Sequence, residues 1–140
     1  MEMKKTSKII KLLDLNPFEI HQKEKNEIFI DAMQESLKHH YKNSKEFKQI
    51  CDNHKFNVEG NFQLEEIPYI PVSIFKKFNL LSIPKENIFK TIFSSATTSN
   101  TPSKIFLDRI TSEYQTKALV SIITDFLYEK MDFLILDSKE

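Results

Sequence analysis

Apolar residues in the first sixty positions recur with helical spacing. Phe29, Met33 and Leu37 follow one another every fourth residue, and Ile30 and Ala32 widen the stripe, which places them on one face of an α-helix. The pattern predicts an amphipathic helix over about 17–41. Ser44 then offers a side-chain cap to a shorter helix in which Phe47, Ile50, Cys51 and His54 fall at i, i+3, i+4 and i+7. The two helices form a hairpin. Upstream, Ile9, Ile10, Leu12 and Leu13 make a short amphipathic patch broken by Lys8, Lys11 and Asp14.

From residue 67 the texture changes. Pro68, Pro71 and Pro84 each remove a backbone donor and restrict the residue before them, so residues 67–82 read as an extended connector. One short turn around Phe75 to Phe78 interrupts it, its aromatics pinning it to the core. Residues 88–94 read as a strand, 94–103 as a Ser/Thr/Asn/Pro loop whose side chains bond their own backbone, and 104–108 as a second strand. Thr111 or Ser112 caps a helix with Tyr114, Ala118, Leu119, Ile122, Ile123 and Phe126 on one broad face. Residues 133–136, Phe-Leu-Ile-Leu, form a short apolar run that reads as a third strand. The order strand, helix, strand favours a parallel pair with a right-handed crossover. The fold class is therefore α/β: an amino-terminal helical hairpin over 1–60, then an incomplete β-sheet with a β-α-β unit over 61–140, together one incomplete domain.

Composition narrows the function classes. Lys and Arg number 20 and Asp and Glu number 20, so no net positive field exists to hold a nucleic-acid backbone or an anionic membrane. No run of 18 apolar residues spans a membrane. Cys51 is the lone cysteine, which rules out an internal disulfide and any multi-cysteine zinc site; with no secretory pattern at the amino terminus, a cytoplasmic setting is expected. Gly60 is the only glycine. Any nucleotide site must then be built without the residue that lets backbone amides approach phosphate most closely.

The loop carries the strongest chemical signal. Ser94-Ser-Ala-Thr-Thr-Ser-Asn-Thr-Pro-Ser-Lys104, lying between two predicted strands, resembles the phosphate loop of adenylate-forming enzymes, usually written Ser-Ser-Gly-Thr-Thr-Gly before a Pro and a Lys. Several flanking segments, in order, resemble the acyl-protein synthetases: His39-His-Tyr-Lys-Asn43, Ile67-Pro-Tyr-Ile-Pro-Val72, Phe75-Lys-Lys-Phe78, Leu80-Leu-Ser-Ile-Pro84 and Ser103-Lys-Ile-Phe-Leu-Asp108. That family supplies the ligase subunit of the fatty-acid reductase of bioluminescent bacteria. The resemblance covers about residues 15–140.

The resemblance implies the start of the large domain of an adenylate-forming enzyme. It also implies ATP and Mg2+ as cofactors, a fatty acid as substrate and an acyl-reductase protein as partner. The family converts fatty acid and ATP to an acyl-adenylate and pyrophosphate, then moves the acyl group to a cysteine. By resemblance Thr97 and Thr98 contact the ATP phosphates or their Mg2+, Ser94, Ser95 and Ser99 belong to the loop, and Lys104 lies nearby as a cation. Attack of a carboxylate on the α-phosphate accumulates negative charge, which hydroxyls, a metal and a lysine neutralise together.

The loop departs from the family pattern, since Ala96 and Ser99 stand where it has glycines. If either position needs positive φ, its Cβ adds strain of about 1–2 kcal/mol. Segments for adenine and ribose, the hinge and the carboxy-terminal catalytic lysine have no counterpart in the 140 residues. The chain is expected to be a truncated portion, inactive alone, whose partner is the remainder of the synthetase. Two alternatives stay open: a non-catalytic interaction module docking on a reductase or on the rest of a split synthetase, and an acyl-CoA ligase-like fragment.

Other candidates have plain readings. Cys51, on an apolar helical stripe, reads as a buried structural thiol rather than an acyl acceptor. His39 and His40 point about 100° apart on a helix and do not chelate one metal; hydrogen bonding is their expected role. Phe75, Phe78, Phe89 and Phe93 are read as core in preference to an acyl pocket.

Overall fold

The structure, a computed structural model, describes residues 7–16, 18–94 and 102–127. Five helices and one two-stranded sheet follow in order along these residues: α1 (Lys8–Leu13), α2 (Gln22–Asn43), α3 (Lys45–Asn53), α4 (Ile74–Lys77), β1 (Lys90–Phe93), β2 (Lys104–Leu107) and α5 (Arg109–Leu127). The patch at Ile9 to Leu13 is a helix in its own right, with the Ser7 hydroxyl accepting from the Ile9 amide at 3.2 Å. It is fastened to α2 where Lys8 Nζ meets Asp31 at 2.5 Å and the Lys8 amide donates to Glu35 at 2.7 Å.

The long helix begins at Gln22, five residues later than the stripe predicts. Asn16 is the cause: its side chain accepts from the Phe18 amide at 3.0 Å and its carbonyl from the Glu19 amide at 3.4 Å. This local turn competes with helix at the residues just upstream. At the other end Ser44 terminates α2 and starts α3, its hydroxyl accepting from the Phe47 amide at 3.3 Å. One residue thus makes the whole turn of the predicted hairpin.

The core lies where α2 and α3 face the segment between α3 and the connector. Leu37, Cys51, Val58 and Phe62 are buried together, with Tyr41, Phe47, Phe56 and Ile67 packed against them. His54, placed by spacing on the same stripe, instead caps the end of α3 and is exposed. The chain leaves α3 by a paired closure in which Lys55 donates to Asp52 at 3.1 Å and Phe56 to Cys51 at 2.9 Å. Lys55 takes φ 53°, left-handed backbone usually given to glycine, whereas Gly60 does not use positive φ.

The connector behaves as the prolines dictate. Each short turn follows a proline or a reciprocal cap: Gln63 and Glu66 cap each other around Leu64–Glu66, the Pro71 carbonyl accepts from Ile74 ahead of α4, and Pro84 precedes the 3-10 turn Lys85–Asn87. The aromatic pinning does not hold. Phe78 is 58% exposed, as is Phe93, and Phe89 is 52% exposed, leaving Phe75 alone half-buried. The ribbon meets α4 and α5 through β2, which leaves Phe89 and Phe93 beside and at the end of β1 largely uncovered.

β1 and β2 pair antiparallel in the register Lys90↔Leu107 through Phe93↔Lys104. Helices with this small antiparallel sheet fit the α/β expectation at the level of mixed architecture. The parallel crossover to 133–136 lies outside the described residues. Asp108, rather than Thr111 or Ser112, caps α5: its carboxylate accepts from the Thr111 amide at 2.7 Å. The Thr111 hydrogen bonds hold its pKa below the ordinary carboxylate value of 3.8, helped by the nearby His39. A depressed carboxylate pKa means the cap's stabilisation is complete above the ordinary value and fades as pH falls through the lowered one. Asp108→Ala is expected to cost about 1 kcal/mol near pH 7, with the difference from the parent chain shrinking below about pH 4; urea unfolding at pH 7 and pH 3 measures both.

Candidate phosphate-binding hairpin

The hairpin register determines what the loop ends do. Beyond the Phe93↔Lys104 pair, the Ser94 amide donates to the Ser103 carbonyl at 3.1 Å and the Ser103 amide donates to the Ser94 hydroxyl at 2.9 Å. These two bonds close the ladder at the foot of the loop. Ser94 and Lys104 therefore stand at the ends of two neighbouring strands, as the loop reading requires. Ser95, Thr97, Thr98 and Ser99 lie outside the described residues.

Lys104 is exposed, and no carboxylate pairs with it among the described residues. An unneutralised ammonium at the loop exit is available to an anionic ligand. Ser103, by contrast, is only 5% exposed, and its hydroxyl oxygen has no hydrogen-bond partner among the described residues. Just past β2 the Arg109 guanidinium lies 4.3 Å from the centre of the Phe89 ring. This cation–π contact ties the start of α5 to the residue before β1. Sequence reading missed three of these features. Asp108 preceding a helix is a visible capping signal, and Thr111 and Ser112 drew attention away from it. The orphaned Ser103 hydroxyl and the Arg109–Phe89 contact depend on tertiary packing and leave no local pattern.

Elsewhere the described residues offer little chemistry. An open cleft of about 560 Å3 lies between the end of α1 and α5, lined by residues including Asp14, Asn16, Lys117 and Asp125. Its polar groups largely satisfy one another: Lys117 pairs with Asp14, and Asn16 donates to Asp125 at 3.3 Å. His40 Nδ1 lies 2.6 Å from the Ser82 hydroxyl, and the His39 and Phe47 rings flank it edge-on. Loss of hydration under these neighbours and then the His39 charge lower its pKa, although the residue as a whole remains exposed. The two histidines thus take the hydrogen-bonding role expected of them. Burial raises the Cys51 thiol pKa, with the Asp52 charge adding to it, and the residue is 0% exposed. It is a core thiol and a poor nucleophile. No group of three metal-ligating side chains occurs among the described residues, and none of their helices is long and apolar enough to cross a membrane.

The sequence matches the family described as acyl-protein synthetase, LuxE, over residues 2–137. It is also similar to a long-chain-fatty-acid–luciferin-component ligase of Photorhabdus luminescens, 31% identical over 94 residues that cover 66% of this chain and 75% of the relative. No solved structure matches.

Proposed function

This chain belongs to the acyl-protein synthetase family, and from that premise we propose that it serves ATP-dependent fatty-acid activation by contributing the hairpin that receives the phosphates of ATP. The observation carrying the proposal is the antiparallel closure at Ser94 and Ser103, which leaves unpaired Lys104 at the foot of a hydroxyl-rich loop.

The donor set suits a metal-bound triphosphate better than a free metal ion. With no carboxylate cluster present among the described residues, hydroxyl oxygens and a cation are what the hairpin has to offer, and Thr97 and Thr98 are the side chains that would hold Mg2+ arriving with the nucleotide. When bound, Mg2+ neutralises phosphate charge. Lys104 adds a second positive charge at the loop exit, where it holds the nucleotide and lowers the cost of charge accumulating on phosphorus.

In the reaction proposed for the family, a fatty-acid carboxylate oxygen bonds to the α-phosphorus as the bond to pyrophosphate breaks. A cysteine thiolate then bonds to the acyl carbon and AMP leaves. Cys51 is unsuited to that second step, being buried with a raised thiol pKa. With Ala96 and Ser99 in place of glycines, whose added Cβ atoms crowd the approach of backbone amides to phosphate, binding by this chain is uncoupled from turnover. The expected result is a saturable heat when the chain is titrated with Mg-ATP, none with adenosine, and no fatty-acid-dependent exchange of pyrophosphate into ATP. Absence of heat at millimolar Mg-ATP would remove the nucleotide role, and exchange by the chain alone would remove the uncoupling.

A second reading has one observation behind it. On α5, Leu119, Val120, Ile122, Ile123 and Phe126 are exposed among the described residues, an apolar face suited to docking on an acyl reductase. Co-elution with a purified acyl reductase is its test.

A further inference from the structure

We propose that the contact of His40 with Ser82 is a pH-sensitive latch that holds the end of the connector against the helical hairpin, closed while His40 is neutral and loosened when it takes a proton.

His40 lies in the last turn of α2. Ser82 is 42 residues further along the chain, with its hydroxyl 2.6 Å from His40 Nδ1, and just ahead of Pro84 and the 3-10 turn that leads into β1. No broad packing joins α2 or α3 to α4, the ribbon or α5 among the described residues. Local contacts therefore decide where the connector lies: Ile67 packs on the core at its start, and His40 engages its end.

The surroundings of His40 favour the uncharged ring. From α2 the His39 ring meets it edge-on at 5.5 Å, and from α3 the Phe47 ring does so at 5.9 Å. The connector contributes a neutral hydroxyl. Among the described residues the charge acting on His40 is that of His39, a like charge, and no carboxylate offsets it; Asp108, at the start of α5, acts on His39. Lost hydration and then the His39 charge thus set the His40 pKa below the ordinary 6.5. With the ring proton on Nε2, Nδ1 accepts from the Ser82 hydroxyl. A protonated ring must donate there instead and hold its charge with incomplete hydration.

Linkage makes the effect reciprocal: the factor by which closure lowers the proton affinity of His40 is the factor by which protonation favours opening. Since the folded value is depressed, the latch is at full strength above pH 6.5 and weakens as pH falls through the lowered value.

NMR titration of the histidine rings and amide hydrogen exchange, between about pH 8 and pH 5, test the latch in the parent chain, His40→Asn and Ser82→Ala. Asparagine keeps an acceptor near the place of Nδ1 and takes no proton. In the parent the His40 midpoint is expected below 6.5. Protection of the Asn87 and Ile88 amides, which close the turn after Ser82, should fall about threefold or more with that same midpoint after correction for intrinsic exchange, while Leu37 and Cys51 keep theirs. His40→Asn should remove this pH dependence, and Ser82→Ala should move the His40 midpoint up toward the ordinary value. A parent midpoint at or above 6.5, protection that does not follow it, an equal fall in His40→Asn, or an unmoved midpoint in Ser82→Ala would each overturn the latch.

Discussion

Leu37→Ala is expected to lower the unfolding free energy by about 2–5 kcal/mol, the range for removing a buried leucine side chain from a packed site. Leu37 is 5% exposed and shares its cluster with Cys51, Val58 and Phe62. These four residues join α2, α3 and the segment that follows α3, so a cavity there loosens three segments at once. A domain of this size has only about 5–15 kcal/mol in total, and the loss falls on its one buried cluster among the described residues. In urea the midpoint should drop while the slope stays constant, because the surface exposed on unfolding barely changes. A shift below about 0.5 kcal/mol, the level of an ordinary surface substitution, would show that the cluster is not the core.

The second large effect concerns binding. Lys104→Glu reverses the one cation at the exit of the hairpin. A hydrogen bond to a charged group is worth about 1.5–3 kcal/mol, so Mg-ATP affinity is expected to fall about ten- to hundredfold. Stability should stay within about 0.5 kcal/mol of the parent, since Lys104 is exposed and forms no ion pair among the described residues. That combination separates a binding residue from a structural one. Equal affinity in the two chains would detach Lys104 from the nucleotide.

What the sequence revealed follows a physical division. α3 was legible because two local signals agree: Ser44 supplies a cap and the apolar residues that follow keep helical spacing. The hairpin was legible because a polar loop separates two short apolar runs. Errors came where a polar side chain redirected the backbone. Asn16 built its own turn and delayed α2, and Asp108 captured the α5 cap ahead of Thr111. Periodicity records apolar positions and is nearly blind to such local hydrogen bonds.

The aromatics exposed a different limit. Phe78, Phe89 and Phe93 were read as core because phenylalanine is usually buried, yet α4 and α5 pack on β2 and leave these three rings exposed. The same holds for α5, whose predicted face keeps Leu119, Ile122, Ile123 and Phe126 exposed. Of the candidate site, the sequence located both strands and their end residues Ser94 and Lys104. It carried no sign that Ser103 between them is buried with its hydroxyl unpaired.

Amide NMR of the chain during titration with Mg-ATP tests the central claim most directly. The account predicts saturable shifts confined to the foot of the hairpin, at Ser94, Ser103, Lys104 and their strand neighbours, while Leu37 and Cys51 stay unmoved. Shifts centred on the cleft between α1 and α5, or none at millimolar nucleotide, would contradict it.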